Sequence, residues 1–219
     1  MSTYQIAYIV LLVLSFVLSI YNYSSFKKSK ALEVFPYLLG FSVITELLVN
    51  ILKYIYDYKI IDYLFIYHIY IPIEYSILAY YFYLNAPDRF KRYIILSIPA
   101  FLSLSIYLSL IYYSPKLYPG LNINIEGILL LCLSLITLLF IKPVYEVPIS
   151  SLPVFWICLG TIIYHTGTFF FNGICNMLLE SNALIMTNLH RLFVKLPNYF
   201  MYICFSISFA CSARMKKYI

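Results

Sequence analysis

FPYLLGFSVITELLVNILKYIY, residues 35–56, is an apolar run of bilayer-spanning length with a carboxylate, Glu46, near its centre. The next apolar run, YLFIYHIYIPIEYSILAYYFYL at residues 63–84, repeats the anomaly with Glu74. At a rise of about 1.5 Å per residue, roughly 20 helical residues cross a hydrocarbon layer of about 30 Å. A carboxylate at the centre of such a helix costs about 2.5 to 3.5 kcal/mol even on the lenient insertion scale. Each glutamate therefore demands a buried partner or a polar cavity.

The rest of the chain has the same character. Over 219 residues, 63% are hydrophobic and 11% charged, against about 25% charge in an ordinary soluble domain. The mean hydropathy is +0.87. Lipid is the solvent this composition requires. The expected fold is all-α, a polytopic transmembrane helix bundle forming a single integral membrane domain over residues 1–219. Its seven predicted spans are 4–20, 35–56, 63–84, 93–113, 121–141, 152–173 and 192–212. If Glu46 and Asn50 kept the second run out of the bilayer, six spans would remain and the N-terminus would change sides.

Ten of the 15 basic residues fall on one set of connections: Lys27, Lys28, Lys30, Arg89, Lys91, Arg92, Lys142, Arg214, Lys216 and Lys217. The richer side is the cytoplasmic one. This predicts an N-terminus outside, a C-terminus inside and residence in the plasma (inner) membrane. Met-Ser-Thr at the start carries no basic residue and no small-x-small cleavage pattern follows, so the first run is expected to be retained. The formal charge of +6 reflects topology, and no nucleic-acid partner is expected. Tyr54, Tyr56, Tyr58 and Tyr63 read as an interfacial belt on the outer side. Cys132, Cys158, Cys175, Cys204 and Cys211 are scattered singly, without a metal-ligating pattern.

Counting along each run assembles a polar cluster. Asn50 lies one turn outward of Glu46 on the same face. Tyr67 and Tyr70 share the face of Glu74, while His68 points to a neighbouring face. The sixth run adds Tyr164 and a stripe of His165, Thr168 and Asn172. The candidate ligand or proton pocket is thus Glu46, Asn50, His68, Tyr70, Glu74, Tyr164, His165 and Asn172, opening outward. Pro72 deprives the carbonyl of His68 of its helical donor. Gly160 and Gly167 on the sixth run, and Ser206, Ala210 and Ala213 on the seventh, mark close helix approach, within the bundle or in a homo-oligomer.

The segments Thr45-Glu46 to Asn50, His68-Ile-Tyr70 to Glu74 and Phe155-Trp156 to Tyr164 resemble a group of uncharacterised seven-helix bacterial membrane proteins, some similar to the input modules of sensor kinases. That resemblance implies sensing or accessory roles. The leading functional reading is accordingly a non-enzymatic sensor, receptor or regulatory membrane subunit, with a small ligand in the outward pocket and a cytoplasmic protein partner or second copy. An ion or proton pathway, as an oligomeric channel in one form, is the first alternative. The second is a membrane-embedded zinc hydrolase acting on lipid, with His68, His165 and His190 as metal ligands. No other cofactor is expected. Beside all three stands a structural reading, in which Glu46, Asn50, His68, Glu74 and His165 only tie helices together.

Overall fold

A computed structural model describes residues 3–26, 30–54, 64–112, 117–141, 148–181 and 183–215, and no strand occurs among them. Among the described residues, eight helices of two turns or more make up the bundle. They are α1 (Thr3–Tyr21), α2 (Phe35–Tyr54), α3 (Phe65–Asn85), α4 (Asp88–Tyr107), α5 (Gly120–Leu139), α6 (Pro153–Ser181), α7 (Ala183–His190) and α8 (Leu196–Met215). A π-helical turn, Leu108–Tyr112, extends α4, and a second, Arg191–Lys195, joins α7 to α8. Of the ten basic residues that predict orientation, Lys27, Lys28, Lys142, Lys216 and Lys217 lie outside the described residues, as do Tyr56, Tyr58 and Tyr63 of the predicted belt.

Among the described residues six stretches are long and apolar enough to cross a membrane: Tyr4–Tyr21, Lys30–Lys53, Asp88–Ile111, Gly120–Leu139, Pro153–Leu178 and Asn188–Arg214. The long helix missing from that set is α3, not the Glu46-bearing α2. Its Tyr67, Tyr70, Tyr75, Tyr80, Tyr81 and Tyr83, with His68 and Glu74, dilute an otherwise Ile- and Leu-rich segment. Helix α6 continues well past residue 173, where the sequence predicts its end, to Ser181.

Six of the long helices close a ring in the order α1, α2, α3, α5, α6, α8 and back to α1; α4 packs outside it against α3. Two glycines fix one seam. A Cβ at Gly167 would stand 2.5 Å from Cγ of Pro197, and one at Gly160 would stand 3.0 Å from Cβ of Cys204, so both positions let α6 close onto α8. The α1–α8 seam is polar: Ser15 Oγ donates to the Tyr202 carbonyl at 3.0 Å and lies 2.9 Å from Ser206 Oγ.

The surface is inside-out relative to a water-soluble protein. Val10, Ile44, Leu96, Leu110 and Phe170 are exposed, whereas Ser15, Ser42, Thr161, Thr168 and Ser208 are buried. Apolar groups facing outward and hydroxyls facing inward are what a lipid solvent selects.

The two ends of the bundle differ in chemistry. Where α2 and α3 meet α8 at the end away from the N-terminus, the fully buried Phe35 ring lies 5.2 Å from Tyr81, 5.1 Å from Phe205 and 5.6 Å from Phe209, centroid to centroid. Phe26 joins Phe209 at 5.5 Å. The three Phe35 pairs are edge-to-face, and rings so arranged attract one another beyond their buried area. They form an apolar seal across that end of the ring.

Candidate functional site

Above the seal the ring encloses a cavity of about 410 Å³, lined by every ring helix and by α7 and the π turn after it. Its contributors lie toward the C-terminal ends of α2 and α6 and the N-terminal ends of α1, α3, α5 and α8, so it occupies the half of the bundle that carries the N-terminus.

The floor carries three carboxylates. Helix α2 supplies Glu46, α3 supplies Glu74 and α5 supplies Glu126. Counted along their helices, these sit about 9 to 14 Å from the helix termini at that end. The Tyr8 hydroxyl donates to Glu46 Oε1 at 3.2 Å. Tyr70 reaches Glu74 with its hydroxyl, which also lies 2.8 Å from Ser42 Oγ. Glu126 is 2% exposed and has no protein partner for its Oε1.

Tyrosines make the walls. Tyr67 and Tyr70 come from α3, Tyr8 from α1, Tyr164 from α6 and Tyr202 from α8, with Tyr118 from the segment before α5. Tyr118 is set by α6: its hydroxyl donates to Asn172 Oδ1 at 3.0 Å, and its backbone is bonded by Asn176. Burial pushes the Tyr118 phenol well above its ordinary range, so it stays a neutral donor.

The rim is basic. Lys53 ends α2, and the π turn presents Arg191 and Lys195. A π-helical turn widens the backbone and re-aims side chains, which is why such turns recur at binding sites. Lys195 is buried and donates to Gln5 Oε1 at 2.5 Å; Arg191 lies over the Tyr4 ring at 5.4 Å.

Of the eight candidates from the sequence, Glu46, Asn50, Tyr70, Glu74 and Tyr164 line this one cavity. The other three do not. His68 turns toward the α4 extension, with Nδ1 2.8 Å from Ser109 Oγ and Nε2 2.9 Å from the Leu117 carbonyl. His165 is buried against α5, its Nδ1 unpartnered and 3.1 Å from where a Cβ on Gly127 would stand. Asn172 acts behind the wall, on Tyr118. The stripe of His165, Thr168 and Asn172 is real as a buried face, but it faces a neighbouring helix.

His190 lines the cavity, its ring 5.5 Å from Phe171. Among the described residues no three His, Cys, Asp or Glu side chains come together as a metal-binding group. With both His68 nitrogens engaged by protein, His68, His165 and His190 do not converge on a common point.

Sequence reasoning missed Glu126, Tyr8, Tyr118, Tyr202 and the Lys53, Arg191, Lys195 rim. Glu126 carried the same signal as Glu46 and Glu74, a carboxylate inside a run of spanning length. The rim residues had no such signal, because a lysine or arginine at a helix end is what any span carries.

No protein-family model, curated protein or solved structure matches this chain.

Proposed function

We propose that this is a seven-span bacterial inner-membrane protein, with its N-terminus outside and its C-terminus cytoplasmic, that binds a small ligand in the ring cavity. It acts as a sensor, receptor or accessory membrane subunit and performs no chemistry on the ligand. The seventh span is α3. Its low hydropathy is no obstacle to spanning, because Tyr67, Tyr70 and Glu74 face the cavity and not lipid.

The observation that carries this reading is the one-ended cavity: acid, hydroxyl and basic groups above, and the Phe35, Phe205 and Phe209 seal below. A proton relay needs ionisable groups on both sides of the bilayer centre. Among the described residues the buried ionisable groups His68, Glu126, His165 and Lys195 lie at mid-depth or on the cavity side, whereas the buried polar groups toward the other end, such as Ser19, Asn22, Ser134, Thr137 and Ser208, are uncharged hydroxyls and amides. A pocket of this volume falls in the range typical of small-molecule sites.

The test is thermal unfolding of the purified protein in detergent across a panel of cationic, zwitterionic, anionic and neutral small molecules. At least one should raise the midpoint in wild type and fail to do so in Glu46→Gln and Glu74→Gln. Stabilisation that survives in both variants would place the ligand elsewhere and overturn the assignment.

A further inference from the structure

The cavity is electrically polarised along its axis. On α2, Glu46 and Lys53 are seven residues apart, about 10 Å of helical rise, and both line the cavity. The same order holds across the other walls, with Glu74 and Glu126 below and Arg191 and Lys195 above. Glu126 Oε1 is the sharpest detail. It is an acceptor without a hydrogen-bond partner, on a 2% exposed side chain that belongs to the cavity lining. An unpaired buried acceptor costs about 1 to 3 kcal/mol, so a donor from a ligand is the natural complement.

What donor fits follows from the surroundings. The three carboxylates do not close into a metal-binding group, and the space around them is far larger than a bare ion. Tyrosine rings and hydroxyls surround the floor, and tyrosine faces attract organic ammonium groups. At the rim, a guanidinium beside two lysines offers more positive charge than one carboxylate would use, and a forked guanidinium suits phosphate geometry.

Resting on the ligand-binding reading above, we infer that the cavity takes an alkylammonium phosphate zwitterion of the phosphoethanolamine type. The ammonium lies among Glu126, Glu74 and Glu46, and the phosphate between Arg191, Lys195 and Lys53. The same chemistry is offered by a free aminoalkyl phosphate and by the headgroup of a phosphatidylethanolamine.

The test titrates purified protein with phosphoethanolamine, with ethanolamine and with inorganic phosphate, and measures retention of labelled phosphatidylethanolamine against phosphatidylglycerol in nanodiscs. Phosphoethanolamine should bind more tightly than either half alone. Glu126→Gln should weaken phosphoethanolamine and ethanolamine by roughly tenfold or more and leave phosphate unchanged. Lys195→Gln should weaken phosphoethanolamine and phosphate but not ethanolamine. If Glu126→Gln does not fold, Glu74→Gln reads the same floor from another helix. Binding of phosphatidylethanolamine without the free compound, lost in Glu126→Gln, assigns the lipid as the source; the reverse assigns the free compound. Absence of both, or binding indifferent to Glu126 and Glu74, overturns the inference. In that case a neutral or anionic compound whose stabilisation depends on Glu46 and Glu74 would leave the ligand-binding reading standing.

Discussion

Asn176 clasps Tyr118 in both directions: its Oδ1 accepts from the Tyr118 N–H at 2.9 Å, and its Nδ2 donates to the Tyr118 carbonyl at 2.9 Å. One turn earlier on α6, Asn172 accepts the Tyr118 hydroxyl. Two asparagines on one helix face thus hold one residue of the cavity wall at both its backbone and its side chain. Asn172→Ala should spare the backbone clasp and cost about 1 kcal/mol, whereas Asn176→Ala removes two bonds at once and should cost about 2 kcal/mol. Thermal unfolding in detergent checks the order; equal losses would mean that the second bond of the clasp adds nothing.

Glycine substitutions test the α6 seams with an internal control. Gly167→Ala drives a Cβ into Pro197 and should cost about 1 to 3 kcal/mol. At Gly173 the nearest group to a new Cβ is Asn124 Nδ2 at 3.7 Å, an ordinary contact. Gly173→Ala should therefore be neutral or stabilise the helix by up to about 1 kcal/mol. The two melting temperatures should move in opposite directions or differ clearly; a shared response would contradict the close α6–α8 approach.

His68 is a structural bracket between α3 and the segment around Leu117. Ser109 Oγ meets His68 Nδ1 and also accepts from Asn122 Nδ2 at 3.2 Å. Ser109→Ala leaves both nitrogens without that partner and should destabilise by about 1 to 3 kcal/mol. Metal analysis of the wild-type protein should at the same time find no stoichiometric zinc. A stoichiometric metal lost in His68→Ala would revive the hydrolase alternative.

The aromatic seal predicts electrical silence. Reconstituted in liposomes with an imposed pH gradient, the wild-type protein should dissipate it no faster than empty vesicles. Phe35 and Phe205 are buried, and truncating either to Ala should cost about 3 to 5 kcal/mol through the cavity left behind. Proton flux that is abolished by Glu74→Gln would favour the relay reading.

Topology is checked by single cysteines in a background stripped of Cys132, Cys158, Cys175, Cys204 and Cys211. Lys53→Cys should react with an impermeant thiol reagent from outside intact cells, and Arg89→Cys only after permeabilisation. Reaction of both from the same side would remove α3 as a span.

Helix class, spanning lengths and the presence of buried acid were legible in the sequence, because each depends on local composition. Twenty apolar residues are a span wherever they occur, and a glutamate inside one is costly whatever its neighbours. For the same reason Glu46, Asn50, Tyr70 and Glu74 could be put on shared faces by counting, and they do line one cavity. Hydropathy was least informative at α3, where a cavity-facing surface replaces part of the apolar one.

Which neighbour each face meets is a matter of packing across the ring. His165 and Asn172 looked like cavity residues because their stripe is buried, yet α5 covers it, with glycines at 120 and 127 allowing the approach. Glu126 joined the floor because α5 lies between α3 and α6, and Lys53, Arg191 and Lys195 became a rim because a π turn brings the start of α8 opposite the end of α2. Run length and charge are properties of a segment and survive in one dimension. Convergence of side chains from six helices depends on interhelical distance and rotation, which close contacts such as Gly167 with Pro197 set in three.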